Sequence, residues 1–328
     1  MKISIIIPVY NSSLTLNECL GAIFNSRFKN FEVIIVSDNS PDNSVMIAKK
    51  YQCKIIELPK NQGPAFARNS GAQAAAGDIL FFIDSDVIIK NDALNYLNDM
   101  FFQNEIDAIQ GIYSHQPTYN SIATQYQMSY NCYYIWPKNK KYASTLSTCC
   151  FAIRKKIFLN LKGFNVNIKR ASAEDEEFGY LLMDKGYKIL ISRELNVEHR
   201  VNYSIGHFVK KKFYTYIDVM KEYLRNKTYI KKIKQTNYFK VLAGIVILGL
   251  IILTAIANII FPDEIILFIF LILNIFFLLL HIGFMRFVGR AKGFSKAFGA
   301  MAVCYIDTFL MLTGLLYGSL SYFFGKKY

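Results

Sequence analysis

Acidic residues follow several short apolar runs in this chain, and they are the groups best suited to chemistry. Phe81-Phe82-Ile83 leads into Asp84-Ser85-Asp86, and Val33 to Val36 leads into Ser37-Asp38-Asn39-Ser40-Pro41-Asp42. Two carboxylates spaced D-x-D at a strand end can hold Mg2+ or Mn2+, a hard cation that bridges the oxygens of a diphosphate. A chain of this length offers a bare D-x-D by chance roughly once, so the position directly after an apolar run is what gives it weight. A further set, Glu174-Asp175-Glu176-Glu177, opens a segment that runs to Lys185-Gly186. Negative charge suits a helix N-terminus, yet four acids exceed what capping requires. Crowded carboxylates also raise one another's pKa, which prepares one of them to act as a base.

The elements that must position these groups are legible as an alternation. Apolar runs at Ile3 to Val9, Val33 to Val36, Ile55 to Leu58 and Ile79 to Ile83 are interleaved with helical patterns at Thr15 to Phe24, Ser44 to Tyr51 and Ala65 to Ala76. Runs rich in β-branched residues without polar alternation indicate strands covered on both faces, hence an α/β domain with a mostly parallel sheet. Thr15-x-x-Glu18 reads as a capping box, and Gly63-Pro64 places a proline at a helix start. A short strand is expected at Lys188 to Ile191, with His199 after it. In such sheets ligands bind beyond the carboxyl ends of the strands, where the acids lie.

The composition restricts the function classes. With 53% apolar residues in 328 positions the chain is too hydrophobic to be disordered, and 38 Lys+Arg against 24 Asp+Glu give a formal charge of +14. That charge admits nucleic acid, an anionic membrane surface or phosphorylated substrates. The cysteines at 19, 53, 132, 149, 150 and 304 have no C-x-x-C spacing, so reduced thiols are expected instead of a disulfide framework or a structural zinc site. Pro8 breaks the first apolar run, which is too short for a signal peptide.

Two stretches, Val241 to Phe261 and Ile265 to Met285, carry no charge over 21 residues each, long enough to cross a hydrocarbon core of ~30 Å. A third, Ala297 to Gly325, contains Asp307 alone among charged types, and its Gly314-Leu315-Leu316-Tyr317-Gly318 lets helices approach closely. Residues 210 to 240 hold ten basic groups against two acids and so supply +8 of the net charge. Such a block favours the cytoplasmic side, and the Pro262-Asp263-Glu264 turn, without Lys or Arg, suits the far side. Lys326 and Lys327 would be stranded outside by a third full crossing; the alternative is that the first half of this stretch lies in the interface and its end does not cross. Three spans are expected, near 241–261, 265–285 and 301–324, within a membrane region 236–328 that follows a domain of residues 1–235. Positive charge crowded at a membrane boundary does not form a groove-reading module, so nucleic acid is not an expected partner.

Taken in order, Ser4-Ile5-Ile6-Ile7-Pro8-Val9-Tyr10-Asn11, Val36-Ser37-Asp38-Asn39-Ser40, Asn61-Gln62-Gly63-Pro64-Ala65-Phe66-Ala67-Arg68-Asn69-Ser70-Gly71, Phe82-Ile83-Asp84-Ser85-Asp86 and Ala173-Glu174-Asp175-Glu176-Glu177-Phe178-Gly179 resemble the family 2 inverting glycosyltransferases of GT-A fold. The membrane tail is similar to that of bacterial members acting in exopolysaccharide or lipid-linked glycan assembly. The resemblance implies a Rossmann-like nucleotide-diphospho-sugar transferase sheet, a nucleotide-sugar donor and Mg2+ or Mn2+. It also assigns roles. Pro8 and Tyr10 would border the nucleobase and ribose, and Asp38 would accept from a uracil-type N3–H. Arg68 would reach the base or diphosphate, where a solvated helix arginine is the plainer account. Asp84 would contact ribose or a metal-bound water, with Ser85 beside it, and Asp86 would ligate the metal. His199 would add a metal or diphosphate contact. Asp175 would be the base and Glu174 its acceptor-orienting neighbour. Two departures stand out: Ser37 where relatives often have a second Asp, and Asn39 where they have Gly. Gly163-Phe164-Asn165 is similar to the Gly-Phe-Asp that closes the acceptor side, with Asn in place of the acid, and takes no assigned role.

The expectation is therefore a membrane-anchored, metal-dependent hexosyltransferase at the cytoplasmic leaflet of the cell membrane, moving a sugar from a UDP-type donor to a lipid-linked or glycan-end hydroxyl. A processive synthase would normally need more spans and a Gln-x-x-Arg-Trp motif, and the single tryptophan, Trp136, is not in one. A non-enzymatic membrane protein binding nucleotides or polyanions through the basic segment is the other alternative. Trp136 and the tyrosines at 126, 130, 133 and 134 could stack on a sugar or fill a core. Thr148-Cys149-Cys150 is expected to be packing.

Overall fold

The computed structural model describes residues 1–103, 106–114, 121–135, 141–143, 145–168, 173–225 and 238–325; Trp136, Lys227, Lys231, Lys232, Lys234, Lys326 and Lys327 lie outside them. The chain clusters into two compact units, the first of Met1–Tyr119 and Ile135–Val201, the second of Asn120–Tyr134 and Asn202–Tyr328.

The first unit is built on an eight-stranded sheet of order β3-β2-β1-β4-β7-β6-β8-β5. β1 (Ile3–Val9), β2 (Phe31–Ser37), β3 (Cys53–Glu57) and β4 (Ile79–Ile83) are parallel, with Ile6 opposite both Ile34 and Phe82. Ile3, Ile5, Ile6 and Ile7 are all fully buried, so β1 has no solvent face and its unbroken apolar run is explained. β5 (Val87–Ile88), β6 (Ala108–Tyr113), β7 (Cys150–Arg154) and β8 (Ile189–His199) complete a mixed half, in which β7 runs antiparallel between β4 and β6, and β5 antiparallel on β8. The chain winds from β1 outward to β3 and then returns to the other side of β1 for β4. That reversal opens a crevice beyond the carboxyl ends of the central strands.

The helices α1 (Leu16–Phe24), α2 (Ser44–Ala48) and α3 (Pro64–Ala74) make the crossovers. α1 buries Leu16, Cys19, Leu20 and Ile23, one face at helical spacing. α3 starts as expected, with Gly63 at φ 90° before Pro64. Gly71 lets it settle on the sheet, since a Cβ there would lie 2.5 Å from Ile6 Cγ2. The expected capping box at Thr15 and Glu18 does not form. Thr15 precedes α1 with φ −117° and ψ −27° and makes no side-chain capping bond. Glu18 instead meets Arg200, Oε2 to Nε at 3.0 Å, and is drawn off the helix start. α4 (Ala93–Gln103), α6 (Lys155–Asn160) and α7 (Glu174–Asp184) complete the unit, in chain order either side of α5 in the second unit. The strand expected at Lys188 to Ile191 is longer: β8 passes an irregularity opposite Gln110 and Ile112 of β6 and resumes pairing, so His199 is its last residue.

The second unit is helical. It contains α5 (Ile122–Tyr130), which runs into a π-helical turn Asn131–Ile135, then α8 (Ile205–Arg225), α9 (Tyr238–Ile260), α10 (Glu264–Lys292) and α11 (Phe294–Phe323). Asp263 caps α10 by accepting from the backbone N–H of Ile265 and Ile266, and Gly293 at φ 90° separates α10 from α11. α9, α10 and α11 are each long and apolar enough to cross a membrane.

Candidate active site

The crevice at the end of β1 and β2 is shaped by backbone conformations that only a few residues tolerate. Asn11 and Asn39 both adopt left-handed φ, 52° and 55°. Asn is the side-chain-bearing residue that enters this region most readily, so Asn39 does what a glycine would do there. Asp42 fastens the two loops together, accepting from Ser13 N (2.8 Å), Ser40 Oγ (2.7 Å) and Ser44 Oγ (2.6 Å). Those donors outweigh the cost of its partial burial and hold its carboxyl below the usual range. Pro8, one residue before the end of β1, lies opposite Val36, and Tyr10, just past the strand, is half exposed. Asp38 is buried and directs its carboxylate at the start of α3: Oδ1 accepts from Gln62 N at 2.7 Å and Oδ2 from Gly63 N at 2.8 Å. Each oxygen keeps one lone pair for a ligand.

Across the crevice, Arg68 joins three elements. Its side chain leaves α3 and is only 4% exposed, not a solvated helix arginine. Nη2 donates to Asp84 Oδ1 at the end of β4 (3.0 Å), and Nη1 donates to Glu174 Oε1 at the start of α7 (2.9 Å). Glu174 is itself 2% exposed. Asp175 lies alongside, its Oδ1 accepting from Glu176 N at 2.9 Å. Burial and the neighbouring Glu174 and Glu176 push the Asp175 carboxyl well above the ordinary range, with Arg68 opposing. Glu177 turns away and accepts from Asn165 Nδ2 at 2.9 Å.

Asp86 follows a different route from Asp84. The pairing of Val87 with His199 brings the two strand ends together, and Asp86 Oδ2 lies 3.2 Å from His199 Nε2. Tyr113 stacks flat on the imidazole, with ring centroids 4.7 Å apart. Ser85 Oγ meets Ser12 Oγ at 2.7 Å and ties β4's end to the β1 loop. The expected metal set of Asp84, Asp86 and His199 is therefore split, Asp84 engaged with Arg68 and the other two with each other. Among the described residues there is no cluster of three or more His, Cys, Asp or Glu placed to hold a metal. A carboxylate beside an imidazole is nevertheless a donor pair that Mn2+ accepts, with remaining positions open to oxygen ligands.

Against this geometry, residues 4–161 match the Glycosyl transferase family 2 model. Residues 4–161 form a glycosyl transferase family 2 domain. The poly(ribitol-phosphate) beta-glucosyltransferase of Bacillus spizizenii is 37% identical over 119 residues, 34% of this chain and 19% of that protein. The chain spans less than half the length of the curated relatives it matches. Among solved structures, the mannosyltransferase PcManGT from Pyrobaculum calidifontis, in complex with GDP-Man and Mn2+, covers 99% of this chain and 87% of its own at TM-score 0.58 and 14% identity. S. aureus TarS 1-349 in complex with UDP-GlcNAc covers 99% and 93% at TM-score 0.50 and 18% identity. At those identities the likeness is one of fold, and the fold is GT-A.

Glu174, Asp175 and His199 lie beyond residue 161, where the family 2 match ends. They are tied to the family 2 domain by the Arg68–Glu174 pair and by the β5–β8 pairing. Asn69 is a third tie, one that sequence reasoning missed. Its Nδ2 donates to Phe164 O (2.8 Å) and its Oδ1 accepts from Phe164 N (2.9 Å), so α3 holds the Gly163-Phe164-Asn165 loop. Gly163 at φ 67° marked that loop, and a Cβ on it would lie 2.5 Å from Asn69 Oδ1. Cys149 and Cys150 are buried, free and raised in pKa by desolvation, Cys149 to about 12, as packing thiols would be.

Proposed function

We propose that this chain is a membrane-anchored inverting glycosyltransferase that moves a sugar from a nucleotide-diphosphate donor, UDP-type, to a hydroxyl on a lipid-linked or glycan-end acceptor at the cytoplasmic leaflet of the cell membrane. One observation carries the reading: Arg68 and Asp84 from inside the family 2 domain meet Glu174 and Asp175 from outside it, in the crevice where the sheet order reverses. The poly(ribitol-phosphate) glucosyltransferase relative supports a polymer or lipid-linked acceptor, and the UDP-GlcNAc-bound neighbour supports the donor class.

In this mechanism the ionised Asp175 takes the proton of the acceptor hydroxyl as its oxygen attacks the anomeric carbon from the face opposite the diphosphate. The glycosidic C–O bond to phosphate breaks, its electron pair leaves with the nucleoside diphosphate, and the configuration inverts. Glu174 is held by Arg68, so it fixes the start of α7 and thereby aims Asp175. Asp86 and His199 would hold Mn2+ or Mg2+, which neutralises charge on the departing diphosphate when bound. Asp38 and Asp42 keep the two nucleotide-side loops in place.

The test is transfer or hydrolysis of radiolabelled nucleotide sugars by the full chain in detergent, with Mn2+ or Mg2+ added. Turnover that falls at least ~100-fold in both Asp86→Ala and Asp175→Asn, with inverted product configuration, supports the reading. Unchanged turnover in both variants removes it.

A further inference from the structure

Asp175 is held on both of its carboxylate oxygens, and only one of the donors comes from its own helix. Glu176 N donates to Oδ1 at 2.9 Å, while Thr148 N, on the chain leading into β7, donates to Oδ2 at 3.4 Å. The other surroundings largely resist ionisation. Glu174 and Glu176 lie beside it on α7, the Cys149 thiol is within electrostatic reach from the same chain as Thr148, and Arg68 opposes them from α3. An N–H bond to a carboxylate favours its charged form, so the place of Thr148 bears on the pH at which Asp175 is ready to take a proton.

Residues 145–149 precede β7 and belong to no helix or strand, so their place is set by what they touch. On the sheet side, Ser147 N donates to Gln110 Oε1 at 2.8 Å, and Gln110 Nε2 donates to Gly111 O at 2.8 Å and to Cys150 O at 3.2 Å. Gln110 is fully buried. It stands where the pairing of β6 with β7 ends, opposite Phe151, and where the register of β6 on β8 becomes irregular. A polar side chain in such a core is costly unless its donors and acceptor are used. Gln110 uses both ends of its amide, extending the ladder past its last backbone pair and tying Ser147 to it. Irregularities of this kind are common next to active sites, where they re-aim a side chain.

On the helix side, Leu146 closes on α7. A Cβ on Gly179 would lie 2.7 Å from Leu146 Cβ. Gly179 comes four residues after Asp175, hence on the same face of α7 one turn along. The Leu146–Gly179 approach and the Thr148–Asp175 bond are therefore neighbours on one helix face.

We infer that Gln110 is a positioning residue for the base: through Ser147 it sets the Thr148 N–H against Asp175 Oδ2, and the glycine at 179 lets the segment come close enough to make that bond. This deepens the proposed function and rests on its assignment of Asp175. When the segment shifts, the ionised Asp175 loses a donor and its proton leaves at a higher pH. Turnover is then lost on the acid side and kept on the alkaline side, whereas a general loss of structure would lower it equally at every pH.

The experiment follows kcat/KM against pH for hydrolysis of radiolabelled UDP-GlcNAc and UDP-glucose by the full chain in detergent with Mn2+. Gln110→Met removes the bonds at similar length. Gly179→Ala pushes on Leu146 from a helix position where alanine is the better helix former, so it decides the matter if Gln110→Met does not fold. In both, the acid limb should move up by about 0.5–1 pH unit, making turnover about 3- to 10-fold lower below the limb and unchanged above it. Ile153→Val, which trims the buried core of the same strand, should leave the limb in place. A limb that stays put in Gly179→Ala, with Asp175→Asn inactive, overturns this inference alone. Natural turnover in Asp175→Asn removes the base, and the proposed mechanism falls with it.

Discussion

Arg68 Nη1 lies 2.9 Å from Glu174 Oε1 although 106 residues separate them, and both side chains are almost wholly buried. A buried pair of this kind is a poor source of net stability but is costly to halve, because the surviving charge stays buried with its main counter-charge gone. Arg68→Ala should destabilise the first unit by about 3 kcal/mol or more, and Arg68→Met with Glu174→Gln should recover much of that loss. Thermal melting of the single and double variants measures it. A double variant as unstable as the single one would show that the pair is not the source of the loss.

Asp175 gives a pH signature with a definite sign. Its folded pKa is raised, so above about pH 4, where an unfolded Asp ionises, the native state binds more protons than the unfolded one. Stability contributed by the protonated form is therefore lost as pH rises through that window and levels off above the folded pKa. Asp175→Asn keeps the neutral form, so its melting temperature should match the natural chain at about pH 4 and exceed it at neutral pH. Turnover should run the other way, rising with pH on the same folded pKa in the natural chain and vanishing in the variant. Melting curves that stay parallel across pH would mean that Asp175 carries no buried charge.

Much of the crevice was legible in the sequence because local signals coincide there. β1 and β4 occupy the expected Ile3 to Val9 and Ile79 to Ile83, since strands buried on both faces write themselves as unbroken apolar runs. Gly63-Pro64 and the acids from Glu174 likewise mark helix starts through local chemistry. The strands β5, β6 and β7 were not read: Val87–Ile88 is two residues long, and Ala108–Tyr113 contains Gln110 and Gly111, a polar residue and a helix and strand breaker. Arg68 shows the deeper limit. Its residue type announced a charge on α3, but its two partners, Asp84 and Glu174, are set by the tertiary fold and by no spacing along the chain. The Asp86–His199 contact depends in the same way on the Val87–His199 pairing. The glycines at 314 and 318 did announce a close helix contact, and the partner is the charged α8.

Asp86 and Asp84 should separate in a metal titration. Asp86 faces His199 at 3.2 Å, while Asp84 is engaged by Arg68 at 3.0 Å. Following free Mn2+ by its EPR signal, Asp86→Ala and His199→Ala should each weaken binding at least ~10-fold, and Asp84→Asn much less. Chelation should abolish transfer and added Mn2+ restore it. Equal weakening by Asp84→Asn and Asp86→Ala would mean that the two carboxylates act as one site.

Asp38 stands between two roles that a single substitution can part. Its carboxylate already accepts from Gln62 N and Gly63 N, so Asp38→Asn replaces one acceptor by an NH2 that meets a backbone N–H head on. Loss of one buried bond of this type costs about 1–3 kcal/mol, and the loop before α3 should loosen accordingly. If Asp38 acts only by holding that loop, KM rises by a similar factor for every nucleotide sugar that the chain accepts. If its spare lone pairs also read a uracil N3–H, the variant loses preference for UDP over GDP donors beyond the common rise, because GDP offers a different edge at that point. The ratio of kcat/KM for paired UDP and GDP sugars, taken alongside the melting temperature, distinguishes the two: a falling stability with an unchanged ratio assigns Asp38 to the loop alone.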